Sequence, residues 1–169
     1  MKTRNIGFWT IAALAAGLLV APAAYSETER FSARLVGVNE VPPINTDGRA
    51  NFQMAIRPGA ITFSLTFSGL SSPLAVAHTH FGVPKVNGGV MIFLCGGGGQ
   101  PACPATTSGT ITGTITAANV VGPTTQGVAA GDLDTALELL RDGFSYANMH
   151  TTNFPSGEIR GQVRSEDEQ

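Results

Sequence analysis

Ala60-Ile61-Thr62-Phe63-Ser64-Leu65-Thr66-Phe67 decides the fold. Ile61, Phe63, Leu65 and Phe67 alternate with Thr62, Ser64 and Thr66, so one face is apolar and the other hydroxylic. Successive side chains of a strand point to opposite sides, and this period of two describes a strand packed on one face and wet on the other. Pro58-Gly59 separates it from a second run, Ala50 to Arg57, and the two read as a hairpin.

Outward from that hairpin the chain continues in short strands. Phe31 to Val38 ends at Val41-Pro42-Pro43, because proline gives no donor to a ladder. Leu74–Phe81, Val90–Leu94, Thr110–Thr116, Phe144–Thr151 and Glu158–Arg164 follow. Val90 to Leu94 is continuously apolar and predicts a strand buried on both sides. One helix is signalled: Leu133, Leu137 and Leu140 share a face between Asp132 and Asp142, and Gly143 is its stop. This pattern predicts an all-β protein, an antiparallel β-sandwich or Greek-key barrel with one short helix in a connection.

Residues 1–26 have the three parts of a signal peptide. Lys2 and Arg4 precede an apolar stretch from Ile6 to Val20, and small residues allow cleavage after Ala23 or Ser26. Residues 27–169 then form a single domain, with its core at about 31–164 and enough chain for a real hydrophobic interior. No further stretch is long and apolar enough to span a membrane, so the mature protein is expected to be soluble and periplasmic or secreted. The net charge is −2, only 13% of residues are charged, and no basic stripe is visible, which argues against a nucleic-acid partner.

Export makes the two cysteines interpretable. Cys95 and Cys103 flank a loop with four consecutive glycines, Gly96 to Gly99. An oxidising compartment favours a disulfide between them, and seven intervening residues fit no common metal-ligand spacing. The glycines lack the strand-to-helix context and the Lys-Ser/Thr of a phosphate loop. No serine or cysteine nucleophile stands in a recognisable elbow, so no catalytic residue is assigned.

The chain has three histidines, all in strand-like segments: His78 and His80 in one, His150 in another. Alternate residues of a strand share a face about 6.6 Å apart. With His150 on a strand beside them or across a core, three imidazoles converge. Imidazole is a favoured ligand of zinc and copper, so His78, His80 and His150 are the candidate ligands of one metal ion. Copper is the first expectation because it heads the affinity order for nitrogen donors. Zinc is the second, since three histidines and a water are a familiar zinc arrangement. Glu158, Arg160 and Tyr146 are candidates for orienting those ligands from behind. The blander alternatives are a charged pair bracing the last strand and a packed tyrosine, with histidines that only fill a half-buried face.

Three motifs carry a family resemblance. They are Phe31-x-Ala-x-Leu-x-Gly-x-Asn-Glu-Val-Pro-Pro43, then Ala77-His-Thr-His-Phe-Gly82, then Tyr146-Ala-Asn-Met-His150 through Asn153-Phe154-Pro155-x-Gly157-Glu158-Ile-Arg-Gly-Gln162. Together they resemble the CHRD domain, named for the extracellular growth-factor antagonist chordin and common in exported bacterial proteins. The resemblance implies export and allows an extracellular protein partner, in which case the domain is a non-catalytic interaction or structural module. A weaker likeness runs to the Cu/Zn superoxide dismutase sandwich, which implies a metal-dependent oxidoreductase if the protein is an enzyme. Three histidines are too few for that enzyme's two-metal site, so the zinc half of the likeness does not carry over.

Overall fold

The computed structural model describes residues 28–166; the expected signal peptide lies outside the described residues. Nine strands are present: β1 Glu29–Val36, β2 Arg49–Arg57, β3 Ala60–Ser68, β4 Leu74–Phe81, β5 Val90–Cys95, β6 Gly109–Ile115, β7 Ser145–Thr151, β8 Ile159–Gln162 and β9 Arg164–Ser165. Helix α1, Leu133–Arg141, lies in the connection from β6 to β7. All pairings are antiparallel, and the strand order is β5-β4-β7-β8-β1-β2-β3-β6, with β9 beside β1. The segment after β6 returns to β5 through an Ile92–Val120 bridge and a bond from Val121 N to Met91 O. The sheet is thereby nearly closed, a barrel flattened toward a sandwich.

The hairpin is present in the register its pattern demands. Ile56, Met54, Phe52 and Ala50 lie opposite Ile61, Phe63, Leu65 and Phe67, and all eight are buried. Phe31, Ala33 and Leu35 extend the same layer from β1, and Ile115 extends it from β6. Such a continuous apolar layer, removed from water, is the main stabilising term of the fold. Helix α1 begins at Asp132, whose side chain accepts from Thr135 N at 3.1 Å, and it buries Ala136, Leu137 and Leu140. That cap satisfies one of the amide donors left open by a helix start. Cys95 and Cys103 form a disulfide, tying the end of β5 to the glycine loop.

Two details differ from the sequence reading. The last strand is split, because Val163 between β8 and β9 enters the core while Arg164 and Ser165 move on to pair with β1. A basic stripe does exist. Arg30, Arg34, Arg49, Arg57 and Arg164 are far apart in sequence, yet the register of β1, β2 and β9 puts them all on one outward face.

Candidate metal centre

β4 and β7 are neighbours, and their pairing sets His78 opposite Asn148, His80 opposite Tyr146 and Val76 opposite His150. Side chains directly opposite share a face, so His78, His80 and His150 all project from the same side of the sheet. Ala77, Ala147 and Met149 occupy the other side, in the core. The histidines thus stand on the outward face, beneath a cover of loops. They meet across adjacent strands and not across the core.

The β4–β5 pairing slips between Ala77 and His78 and again between Thr79 and His80. Such irregularities re-aim side chains next to functional sites. The ring centroids of His78 lie 4.6 Å from those of both His80 and His150, well inside the regular spacing along a strand. One ring nitrogen from each histidine falls in a group with no two members more than 4.8 Å apart. Nitrogens sharing one ion at 2.0–2.1 Å in a tetrahedral site are about 3.3 Å apart, so binding requires the rings to close by about 1.5 Å at most.

The hydrogen bonds determine which nitrogens are free. His80 Nδ1 lies 2.9 Å from Gly88 O, and His150 Nδ1 lies 3.0 Å from Pro155 O. A carbonyl only accepts, so each Nδ1 carries the proton and each Nε2 keeps its lone pair. Those two Nε2 atoms and His78 Nδ1 are buried without any hydrogen-bond partner. The exposures of His78, His80 and His150 are 5%, 8% and 9%. Burial lowers all three pKa values, to about 2 for His78, where the neighbouring imidazoles add to the effect, and to about 4 for His80. The cluster is therefore neutral at physiological pH, the form that coordinates. Three buried neutral imidazoles with ring nitrogens within 4.8 Å of one another, two of them with the Nε2 lone pair set by a backbone carbonyl, can hold a metal ion.

Tyr146 stacks on His80 with centroids 4.5 Å apart and planes 6° from parallel, and the Arg160 guanidinium lies 3.4 Å above the tyrosine ring. Arg160 also donates to Val86 O at 2.6 Å, Val83 O at 3.3 Å and Asn87 Oδ1 at 3.1 Å, fastening the 82–89 loop over the site. Gly88 can offer its carbonyl only because it has no side chain, since a Cβ would stand 1.7 Å from Phe81 O. Tyr146 and Arg160 thus reach His80. Glu158 does not contact a histidine. Its buried carboxylate accepts from Thr46 Oγ1, Ser71 N, Ser71 Oγ and Thr151 Oγ1, which fixes three segments together. Burial alone would raise its pKa, but these bonds outweigh it and hold the group below the usual value.

Sequence reasoning missed Glu40, although it stands in the first of the three motifs. Glu40 is buried and accepts from Asn148 Nδ2 on the histidine-bearing face. Desolvation raises its pKa to about 7, against the opposing effects of Asn148 and of the Arg160 charge. Gly157 (φ +124°) is required beside it: a Cβ there would lie 2.8 Å from Glu40 Oε1.

The fold and site define an antiparallel β-barrel protein with a buried, neutral three-histidine cluster under loops. The chain belongs to the CHRD domain family, which it matches over residues 31–163. No curated protein and no solved structure matches it. Among the described residues no helix is long and apolar enough to cross a membrane.

Proposed function

We propose that the protein is exported and holds a single copper ion through His78, His80 and His150. One observation carries this reading: three histidines with ring nitrogens within 4.8 Å of one another each keep a buried ring nitrogen without a hydrogen-bond partner. Leaving such groups unpaired costs about 1–3 kcal/mol each, and an ion satisfies all three together. Two tautomers are already set by backbone carbonyls, the usual way a protein orients imidazole ligands. Tyr146 and Arg160 act from behind, holding the His80 ring and the loop that supplies its carbonyl.

Copper is preferred to zinc because the divalent ion heads the affinity order for nitrogen donors, and the cluster offers nitrogen donors alone. Zinc remains the second candidate, because three imidazoles and an open position suit it. Export is supported by the leader-like pattern of residues 1–26 and by the disulfide.

The deep burial of the rings favours a second reading, a non-catalytic extracellular interaction or structural module in which the histidines brace the fold. Elemental analysis of protein purified without a histidine tag separates the readings. One copper per chain is expected. One zinc overturns the choice of metal. Neither metal, together with no melting shift on adding either ion to stripped protein, overturns the site.

A further inference from the structure

The outward face of β1, β2, β3 and β6 is largely exposed among the described residues, with the 37–48 segment beside Arg34 and Arg49 at one end, and its composition is unusual. Five of the chain's ten basic residues project from it: Arg30 and Arg34 on β1, Arg49 and Arg57 on β2, and Arg164 on β9. Ser32 pairs with Arg164 on one side and Gln53 on the other, and Arg34 pairs with Asn51. Arg30 and Arg57, like Arg34 and Arg49, are diagonal neighbours across β1 and β2. Like charges gathered on one sheet face repel each other, and the acidic residue beside Arg34 and Arg49 is Asp47, whose carbonyl accepts from Arg49 Nε at 3.3 Å. The one ion pair among the described residues lies elsewhere, between Arg141 and Glu29. Most other outward positions are hydroxyl or amide, with Thr62, Ser64 and Thr66 on β3 and Thr110, Thr112 and Thr114 on β6, while Ala55, Val36 and Ala60 stand directly opposite Arg30, Arg49 and Arg57. A hollow of about 610 Å³ lies among them, lined by Arg34, Arg164, Asn51, Gln53 and Thr66. Glu166 is the only acidic residue that lines it among the described residues.

We infer that this face binds an acidic polysaccharide carrying carboxylate groups. The guanidinium fork matches a carboxylate with two parallel hydrogen bonds, and successive arginines match charges repeated along a chain. The amides and hydroxyls between them suit sugar hydroxyls. Single-stranded nucleic acid needs aromatic platforms for its bases, and this face presents none among its strand positions. A lipid surface needs a broad apolar face to insert, and here the large apolar side chains are confined to one end of the stripe, where Val36 and Val38 stand beside Arg34 and Arg49. The inference is independent of the metal cluster, which lies under loops on β4 and β7.

Affinity electrophoresis and calorimetry of the whole protein with polygalacturonate, dextran and single-stranded DNA test it. Polygalacturonate is expected to bind at low salt and to weaken steeply as salt rises, while dextran, which is neutral, does not bind. Arg34→Gln with Arg49→Gln should weaken binding roughly a hundredfold, about tenfold for each lost charged contact. Both side chains are exposed, so an unchanged melting temperature shows that the fold is intact. Glu166→Gln should strengthen binding by removing the opposing charge. No binding of polygalacturonate by the wild type, or equal binding by the double variant, overturns the inference. DNA binding as tight as polygalacturonate binding overturns the choice of a glycan.

Discussion

His78→Leu separates a metal site from a structural brace, because the two predict opposite effects on the metal-free protein. His78 Nδ1 is buried with no partner, and the ring touches His80, His150 and Phe93 at centroid distances of 4.6, 4.6 and 5.2 Å. An unpaired buried nitrogen costs about 1–3 kcal/mol. Leucine is similar in size and has no polar atom, and such a swap costs less than about 1.5 kcal/mol in repacking. The variant should therefore be more stable than the wild type without metal by about 1 kcal/mol, or roughly 3–4 °C in Tm for a domain of this size. With copper the order should reverse. A ligand at a hundred times its Kd stabilises the wild type by about 2.7 kcal/mol, and the variant, with two ligands left, should gain little of it. Differential scanning fluorimetry of stripped protein, with and without copper, measures all four melting temperatures. The crossing of the two pairs is the expected signature. A metal-free variant that melts several degrees below the wild type would mean that the imidazole braces the fold, and the argument from unpaired nitrogens would be wrong.

Four other outcomes are expected. The pKa of His80 is lowered in the fold, from 6.5 to about 4, so its contribution is present above pH 6.5 and is lost as pH falls toward 4. Relative to His80→Leu, metal-free wild type should lose about 3 kcal/mol over that window in urea titrations, a comparison that sets aside the titration of His78, His150 and Glu40 in the same range. Glu40 has the opposite sign: raised to about 7, its contribution is present below pH 4.5 and lost as pH rises to 7. Glu40→Gln should accordingly match the wild type near pH 4 and exceed it by about 3 kcal/mol at pH 8 in the same assay. Replacing Cys95 and Cys103 by serine should cost about 2.5 kcal/mol by denaturant unfolding, while the native chain titrates no free thiol. Phe63→Ala, at a position 4% exposed, should cost about 3–5 kcal/mol, and Thr62→Ala on the wet face should cost little; equal losses would mean a wrong register.

Much of the fold was legible because β2 and β3 each bury one face, and a half-buried strand writes its register into its own residues. β7 does not behave this way. Ser145 to Thr151 are buried on both faces, and the polar side meets Gly88 at Tyr146, Glu40 at Asn148 and Pro155 at His150. The convergence of the histidines could be anticipated from their types and spacing. Their fixed tautomers could not, because Gly88 and Pro155 act through backbone carbonyls that any residue possesses. The one sequence trace of the first contact is the small residue itself, Gly88. Glu40 stood in a motif without a partner in view, since Asn148 lies 108 positions away.

The arginine stripe makes the same point about charge. Along the sequence, Arg30, Arg34, Arg49, Arg57 and Arg164 look like scattered solubilising residues, and the net charge of −2 suggests no attraction to an anion. Register alone gathers them, because alternate positions of β1 and β2 share a face and the last two-residue strand adds Arg164 to it. Outward-facing positions of one curled sheet thus have two fates. On β4 and β7, loops cover them, and burial keeps three histidines neutral. On β1, β2 and β3 the outward positions are largely open among the described residues, and the five arginines are exposed without an ion pair. The cover, more than the strand sequence, decides which half can hold a metal ion and which half can meet a large anionic partner.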